Sequence, residues 1–132
     1  MHKFLTKMEP SRARALSPIT LAFVGDAVYS LYVRERLVSE HEFSAGEMQK
    51  LTSKDVSAHG QSELLEKLME KFTEEESDIF KRGRNAKKPT KSKNATVAEY
   101  NRSTGFEAVL GFLYLTGRYE RIDELLEDSN EV

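Results

Sequence analysis

Apolar residues recur at helical spacing along almost the whole chain, and no alternating run bounded by hairpin turns interrupts them. The strongest pattern runs from Ile19 to Leu37 and holds Leu21, Phe23, Val24, Val28, Leu31, Val33 and Leu37. Tyr29 and Tyr32 widen its apolar surface beyond one stripe. Ser17-Pro18 opens it: the serine oxygen can cap, and proline's missing N–H costs nothing at the first helical position. A helix apolar nearly all round is central, with core on one side and a partner on another.

Ser44-Ala45-Gly46-Glu47 reads as a capping box, opening a helix that carries Met48 and Leu51. Leu64, Leu65, Leu68, Met69 and Phe72 then stand at core spacing for a further helix. Thr73-Glu74-Glu75-Glu76 is a second capping box, its carboxylates suited to the positive end of a helix dipole. That helix carries Ile79 and Phe80 and runs out into Arg82-Gly83-Arg84-Asn85. From Ala86 to Ala95 the chain holds Pro89 and several lysines without an apolar anchor, which predicts an exposed loop. Thr96-Val97-Ala98-Glu99, a third box, opens a long apolar helix through Phe106, Val109, Leu110, Phe112, Leu113, Tyr114 and Leu115, closed by Gly117. A last amphipathic helix holds Ile122, Leu125 and Leu126. With neither repeat nor linker, the pattern predicts a single all-α domain over residues 1–132, a helical bundle with its core at about 16–128.

Composition sharpens this only a little. A chain of 132 residues can bury one real core, and 39% hydrophobic against 32% charged residues suits a globular rather than a disordered chain. The absence of cysteine excludes a disulfide framework and a thiolate metal site, and fits a reducing cytoplasm. Lys3, Lys7 and Glu9 break the N-terminal segment, so a secretory signal is not expected there. No stretch approaches the roughly 18 apolar residues of a membrane span, so no membrane partner is expected. The sequons at Asn94 and Asn101 are chance matches in such a protein.

Charge changes the picture more. From Lys81 to Arg102 eight basic residues face one acid, Glu99, a net +7 inside a chain of net −2, which leaves −9 for the rest. Such a split points to a polyanion contact on an otherwise acidic body, against the blander reading of a solvated lysine-rich loop.

Two acids break their surroundings. Asp26 stands in the middle of the most apolar helix, directly after Gly25, and Glu107 lies between Phe106 and Ala108 in the second. Buried there without a partner, each would cost several kcal/mol, so each calls for a cation, a donor or a salt bridge to a neighbouring helix end. Facing helices of a bundle commonly build metal sites from such side chains, and oxygen ligands suit Mg²⁺ or Mn²⁺ better than zinc. His2, His41 and His59 have no ligand-like spacing, no serine triad is recognisable, and the glycines form no phosphate-binding loop. Tyr100, Tyr114 and Tyr119 suit core and rim packing better than base stacking, and Glu63 suits a solvated helix face.

At this point a family resemblance becomes specific. Leu21-Ala22-Phe23-Val24-Gly25-Asp26-Ala27-Val28 resembles the signature helix of ribonuclease III catalytic domains, and Phe106-Glu107-Ala108-Val109-Leu110-Gly111 resembles their second signature. The basic stretch Lys81-Arg82-Gly83-Arg84-Asn85-Ala86-Lys87 and the lead from Tyr100 to Glu107 are similar to the Mini-ribonuclease III subfamily. The likeness covers roughly Leu16 to Leu126. It implies an all-α ribonuclease III domain, dimeric, with Mg²⁺-dependent hydrolysis of double-stranded RNA that leaves 5′-phosphate and 3′-hydroxyl ends. It further implies a role in maturing the 23S ribosomal RNA precursor, with the choice of site coming from RNA shape or from a ribosomal protein partner. A chain ending at Val132 leaves no room for a separate double-stranded RNA-binding domain, which the subfamily also lacks.

By the resemblance, Asp26 and Glu107 are catalytic and hold Mg²⁺, with Mn²⁺ as a substitute, while Arg82, Arg84, Asn85, Lys87, Lys88, Lys91 and Lys93 grip RNA phosphates. One departure matters. Ala22 stands where the family places a second glutamate, and Thr104 where it places a second aspartate, so two of four carboxylates are missing. That predicts weaker metal binding, with water or Thr104 filling the vacated positions. Two rivals stand beside this reading: a non-catalytic RNA-binding member of the same fold, and a helical protein-interaction module that would leave the basic segment unexplained.

Overall fold

The computed structural model describes residues 2–40, 44–56, 65–87 and 96–127, and every regular element among them is helical. Helix α1 spans Pro10–Ala15, α2 Pro18–Glu40 and α3 Ala45–Val56. Residues 65–68 form a helical turn that tightens into a 3₁₀ turn at Met69–Lys71. Helix α4 spans Glu74–Asn85, α5 Val97–Leu115 and α6 Tyr119–Glu127. His41, His59, Glu63, Leu64, Lys88, Lys91, Lys93 and the 88–95 part of the expected loop lie outside the described residues.

The helix starts follow the local chemistry read from the sequence. The Ser17 hydroxyl accepts from the Ile19 amide at 3.2 Å, and Ser44 accepts from Glu47 at 3.2 Å. At Thr73 and Thr96 both halves of the capping box close, with Glu76 and Glu99 reaching back to the N-cap amides at 3.0 Å. Helix α5 ends at Gly117, whose φ of 75° lets its amide reach the Tyr114 carbonyl while Arg118 reaches Leu113.

One element goes beyond the sequence pattern and one expectation needs correction. Pro10–Ala15, where the sequence pattern predicts no element, is helical; its buried residue, Ala13, is too small to show in a periodicity pattern. Met69 is largely exposed, because the expected helix over 64–72 tightens at Met69 and turns that side chain outward; Leu65 and Leu68 keep the core positions.

The core is organised about α5. Every residue from Ser103 to Leu113 is buried except Glu107. Among the described residues α2 makes the most extensive contact with α5, and α4 the next. Phe106 and Phe112 are fully buried, each contributing about 1.5–3 kcal/mol relative to exposure. Around this core Glu76, 2% exposed, accepts from the Nε and Nη2 atoms of Arg121, both at 2.8 Å, and ties α4 to α6. Glu75 joins Arg14 at 2.5 Å and Arg118 at 2.6 Å, and the Arg118 guanidinium foremost holds its carboxyl below the usual carboxylate range. No helix among the described residues is long and apolar enough to cross a membrane.

Candidate active site

Asp26 and Glu107 sit on the two helices that touch most closely. A Cβ added at Gly25 would lie 1.7 Å from the Glu107 carbonyl oxygen, and one added at Gly111 would lie 1.9 Å from the Leu21 carbonyl oxygen. The helices therefore meet backbone to backbone, with Asp26 one residue from the contact and Glu107 supplying part of it. On the core side the Tyr29 and Phe106 rings meet edge to face, with centroids 5.3 Å apart and planes at 79°. Tyr29 lies three positions past Asp26, and Phe106 directly precedes Glu107.

The structure corrects the premise that both acids are buried. Asp26 is exposed and Glu107 half-buried, because each occupies the outward side of its helix where the other helices do not cover it. Neither therefore carries the penalty of an isolated internal charge, and both are open to a ligand from solvent. The replaced positions behave differently. Ala22 and Thr104 are buried, and the Thr104 hydroxyl donates to the Tyr100 carbonyl at 3.0 Å. The Thr104 hydroxyl hydrogen is thus engaged by its own helix. Among the described residues no three acids or histidines cluster as a metal site. The donor set that fits a cation is two carboxylates with water, a set that suits a hard, oxygen-seeking ion such as Mg²⁺.

Helix α4 roots the first residues of the basic stretch on the turn of α5 that bears Glu107. A Cβ at Gly83 would meet the Gly105 Cα at 2.8 Å, the Thr104 carbonyl oxygen at 3.1 Å and the Ala108 Cβ at 3.2 Å. Gly83 thus rests on the turn of α5 that bears Glu107, and Arg84 and Asn85 follow immediately. The Arg84 guanidinium lies over the Phe80 ring at 5.7 Å, and its Nε donates to the Asn85 Oδ1 at 3.2 Å. Lys87 is exposed. Arg82 points elsewhere, donating to the carbonyls of Arg14 and Leu16 at 3.0 and 3.1 Å, where it satisfies the C-terminal end of α1. Its signal in the sequence was charge alone, which cannot separate a cation that binds a ligand from one that closes a helix end.

Comparison with known proteins identifies the domain. The ribonuclease III domain family matches residues 19–118, which span both acids and the basic stretch. Mini-ribonuclease 3 of Thermoanaerobacter sp. (strain X514) is 46% identical over 118 residues, 89% of this chain and 83% of that protein. Mini-ribonuclease 3 of Staphylococcus aureus is 45% identical over 124 residues, 92% of each chain. A crystal structure of a Fusobacterium nucleatum protein superposes with a TM-score of 0.80 at 31% identity, covering 88% of this chain and 93% of that one. An all-α domain with an acid pair at its central helix crossing is the ribonuclease III fold, and the chain belongs to the ribonuclease III family. Within it the chain stands with the Mini-ribonuclease 3 proteins, and it is an endoribonuclease.

Proposed function

We propose that this endoribonuclease hydrolyses double-stranded RNA at Asp26 and Glu107 with Mg²⁺, or Mn²⁺ in its place, leaving 5′-phosphate and 3′-hydroxyl ends. The observation that supports this is the contact of Gly83 with Thr104, Gly105 and Ala108, which roots the basic stretch on the same turn of α5 as Glu107. A divalent ion bound there supplies an activated water and relieves charge on the scissile phosphate. Asp26 and Glu107 hold the ion through solvent-facing carboxylates. Arg84, Asn85 and Lys87, with Lys88, Lys91 and Lys93 further along the sequence, grip phosphates of the duplex, and Arg82 anchors their base. Duplex RNA is read mainly through shape and backbone, which suits a cationic stretch without a separate reading domain.

The active form in this reading is a homodimer. Phe23, Leu31 and Val38 are 81%, 52% and 64% exposed, and with Ala27 they follow one outward strip of α2. A second copy, presenting the same strip about a two-fold axis, covers it. By the family resemblance the substrate is the 23S ribosomal RNA precursor in the cytoplasm, with a ribosomal protein as accessory partner.

The test is cleavage of a long RNA duplex in Mg²⁺ by wild type, Asp26→Asn and Glu107→Gln. Both variants should retain duplex binding and lose at least about 100-fold in cleavage rate, and chelation of the metal should do the same to wild type. Wild-type binding without cleavage in either Mg²⁺ or Mn²⁺ at low salt would reduce the reading to an RNA-binding one.

A further inference from the structure

Asp26 and Glu107 flank the crossing of α2 and α5, and the side chains one turn before them, Ala22 and Thr104, carry no charge. Ala22 and Thr104 are buried, and the Thr104 hydroxyl is held by Tyr100. What fixes the pair is the crossing of α2 and α5. The atoms a Cβ at Gly25 would meet are the Glu107 carbonyl oxygen at 1.7 Å, the Glu107 carbonyl carbon at 2.6 Å and the Gly111 amide at 2.9 Å. Those met by a Cβ at Gly111 are the Leu21 carbonyl oxygen at 1.9 Å, the Leu21 carbonyl carbon at 2.8 Å and the Gly25 amide at 3.1 Å. Each glycine seats on the turn that carries the other, and all six atoms are backbone, so no rotamer change can relieve an added methyl group.

We propose that Gly25 and Gly111 are positioning residues for metal binding: their reciprocal contact sets the span between Asp26 and Glu107 that the cation must fit. The proposal rests on the metal reading above. Cβ contacts in proteins essentially never fall below 3.0 Å, so a methyl group at either glycine has to part the helices by about an ångström or more. Mg²⁺ demands oxygens at about 2.0–2.1 Å in near-ideal octahedral geometry, and a site with two protein ligands has no spare carboxylate to absorb such a shift. A second close contact joins α4 to α5, where a Cβ at Gly105 would lie 2.6–2.8 Å from Phe80 and one at Gly83 would lie 2.8–3.2 Å from Gly105, Thr104 and Ala108; it spaces no pair of acids, which makes it the control.

Mn²⁺ binding to the RNA-free protein, followed by electron paramagnetic resonance titration, tests this apart from catalysis. Gly25→Ala and Gly111→Ala should weaken Mn²⁺ binding at least about 10-fold, whereas Gly105→Ala should lower the melting temperature and leave Mn²⁺ affinity within about two-fold. Extending the carboxylate supplies a readout that lost packing cannot mimic. Asp26→Glu alone should overshoot the span and weaken Mn²⁺ about 10-fold, and in the Gly25→Ala background it should restore part of the lost affinity. Asp26 is exposed, so Asp26→Glu folds whether or not Gly25→Ala does. A folded Gly25→Ala protein with wild-type Mn²⁺ affinity overturns the proposal. So does wild-type affinity in Asp26→Glu if Gly25→Ala does not fold. If Asp26→Asn and Glu107→Gln leave Mn²⁺ binding untouched, the metal reading itself fails and the glycine proposal falls with it.

Discussion

Glu76 shows how much one carboxylate can hold together. The same group closes the capping box of α4 through the Thr73 amide and forms a two-pronged pair with Arg121, while 2% exposed. Glutamine in its place keeps an acceptor for the cap but leaves the Arg121 charge facing a neutral amide. Breaking a partly buried pair from one side should cost about 2–4 kcal/mol, a fall of roughly 10 °C in a thermal melt followed by circular dichroism. Glu75 differs in being open enough for solvent to screen it, and its effect is best read against pH. Its carboxyl is held below the usual range, first by Arg118 and then by Arg14. The stabilisation is therefore present above the unfolded-state value, near the ordinary glutamate value of 4.5, and is lost as pH falls through the depressed folded-state value. Melting temperatures of Glu75→Gln should accordingly fall less steeply than those of wild type between about pH 5 and pH 3. Equal slopes would mean that the pair adds nothing.

At the scale of elements, much of the fold was legible because helix ends obey local chemistry. Four serine or threonine caps and the Gly117 stop could be placed from neighbouring residues, since the groups that satisfy them lie within one turn. What could not be read depended on distant partners. Arg82 closes the end of α1 from more than sixty residues away, Glu76 finds Arg121 on α6, and Gly25 acquires its meaning only where α5 crosses it. The acid pair was legible by its oddity in apolar helices, but its exposure was not, since a single sequence does not tell which side of a nearly all-apolar helix is left uncovered. Helix α2 is the plainest case: its apolar excess signalled a second contact, and the fold leaves Phe23, Leu31 and Val38 exposed as the surface for it. Phe23→Glu on this strip should convert a dimer at micromolar concentration into a monomer in sedimentation velocity, with little loss of helicity because the side chain is 81% exposed within one chain. A wild-type protein that already sediments as a monomer would remove the second copy as the occupant.

The whole molecule separates its charges. A stretch of net +7 roots on α4 beside the acid pair, while the remainder of the chain is net −9. On the proposed reading this pattern attracts RNA to the basic stretch, and the ion-paired surface where Glu74, Asp78, Glu120 and Glu124 lie with Arg118 and Arg121 would repel it. Affinity for a duplex should then come mostly from counterion release at a few phosphates, with a logarithmic salt slope of about −0.7 to −0.9 for each contact. With about four contacts, raising monovalent salt from 50 to 150 mM should weaken duplex binding by roughly 20- to 50-fold. The individual cations should not be equivalent. Lys87 is exposed, so Lys87→Ala should make the slope shallower by just under one unit, whereas the Arg82 guanidinium is occupied by the carbonyls of Arg14 and Leu16. Arg82→Ala should lower the melting temperature through the lost helix-end bonds and leave the slope almost unchanged. Filter binding of one duplex over a salt series, with both variants in parallel, decides between them. A loss of slope in Arg82→Ala equal to that in Lys87→Ala would mean that Arg82 leaves α1 to meet RNA, and that the basic stretch binds its substrate by rearranging the fold it is rooted in.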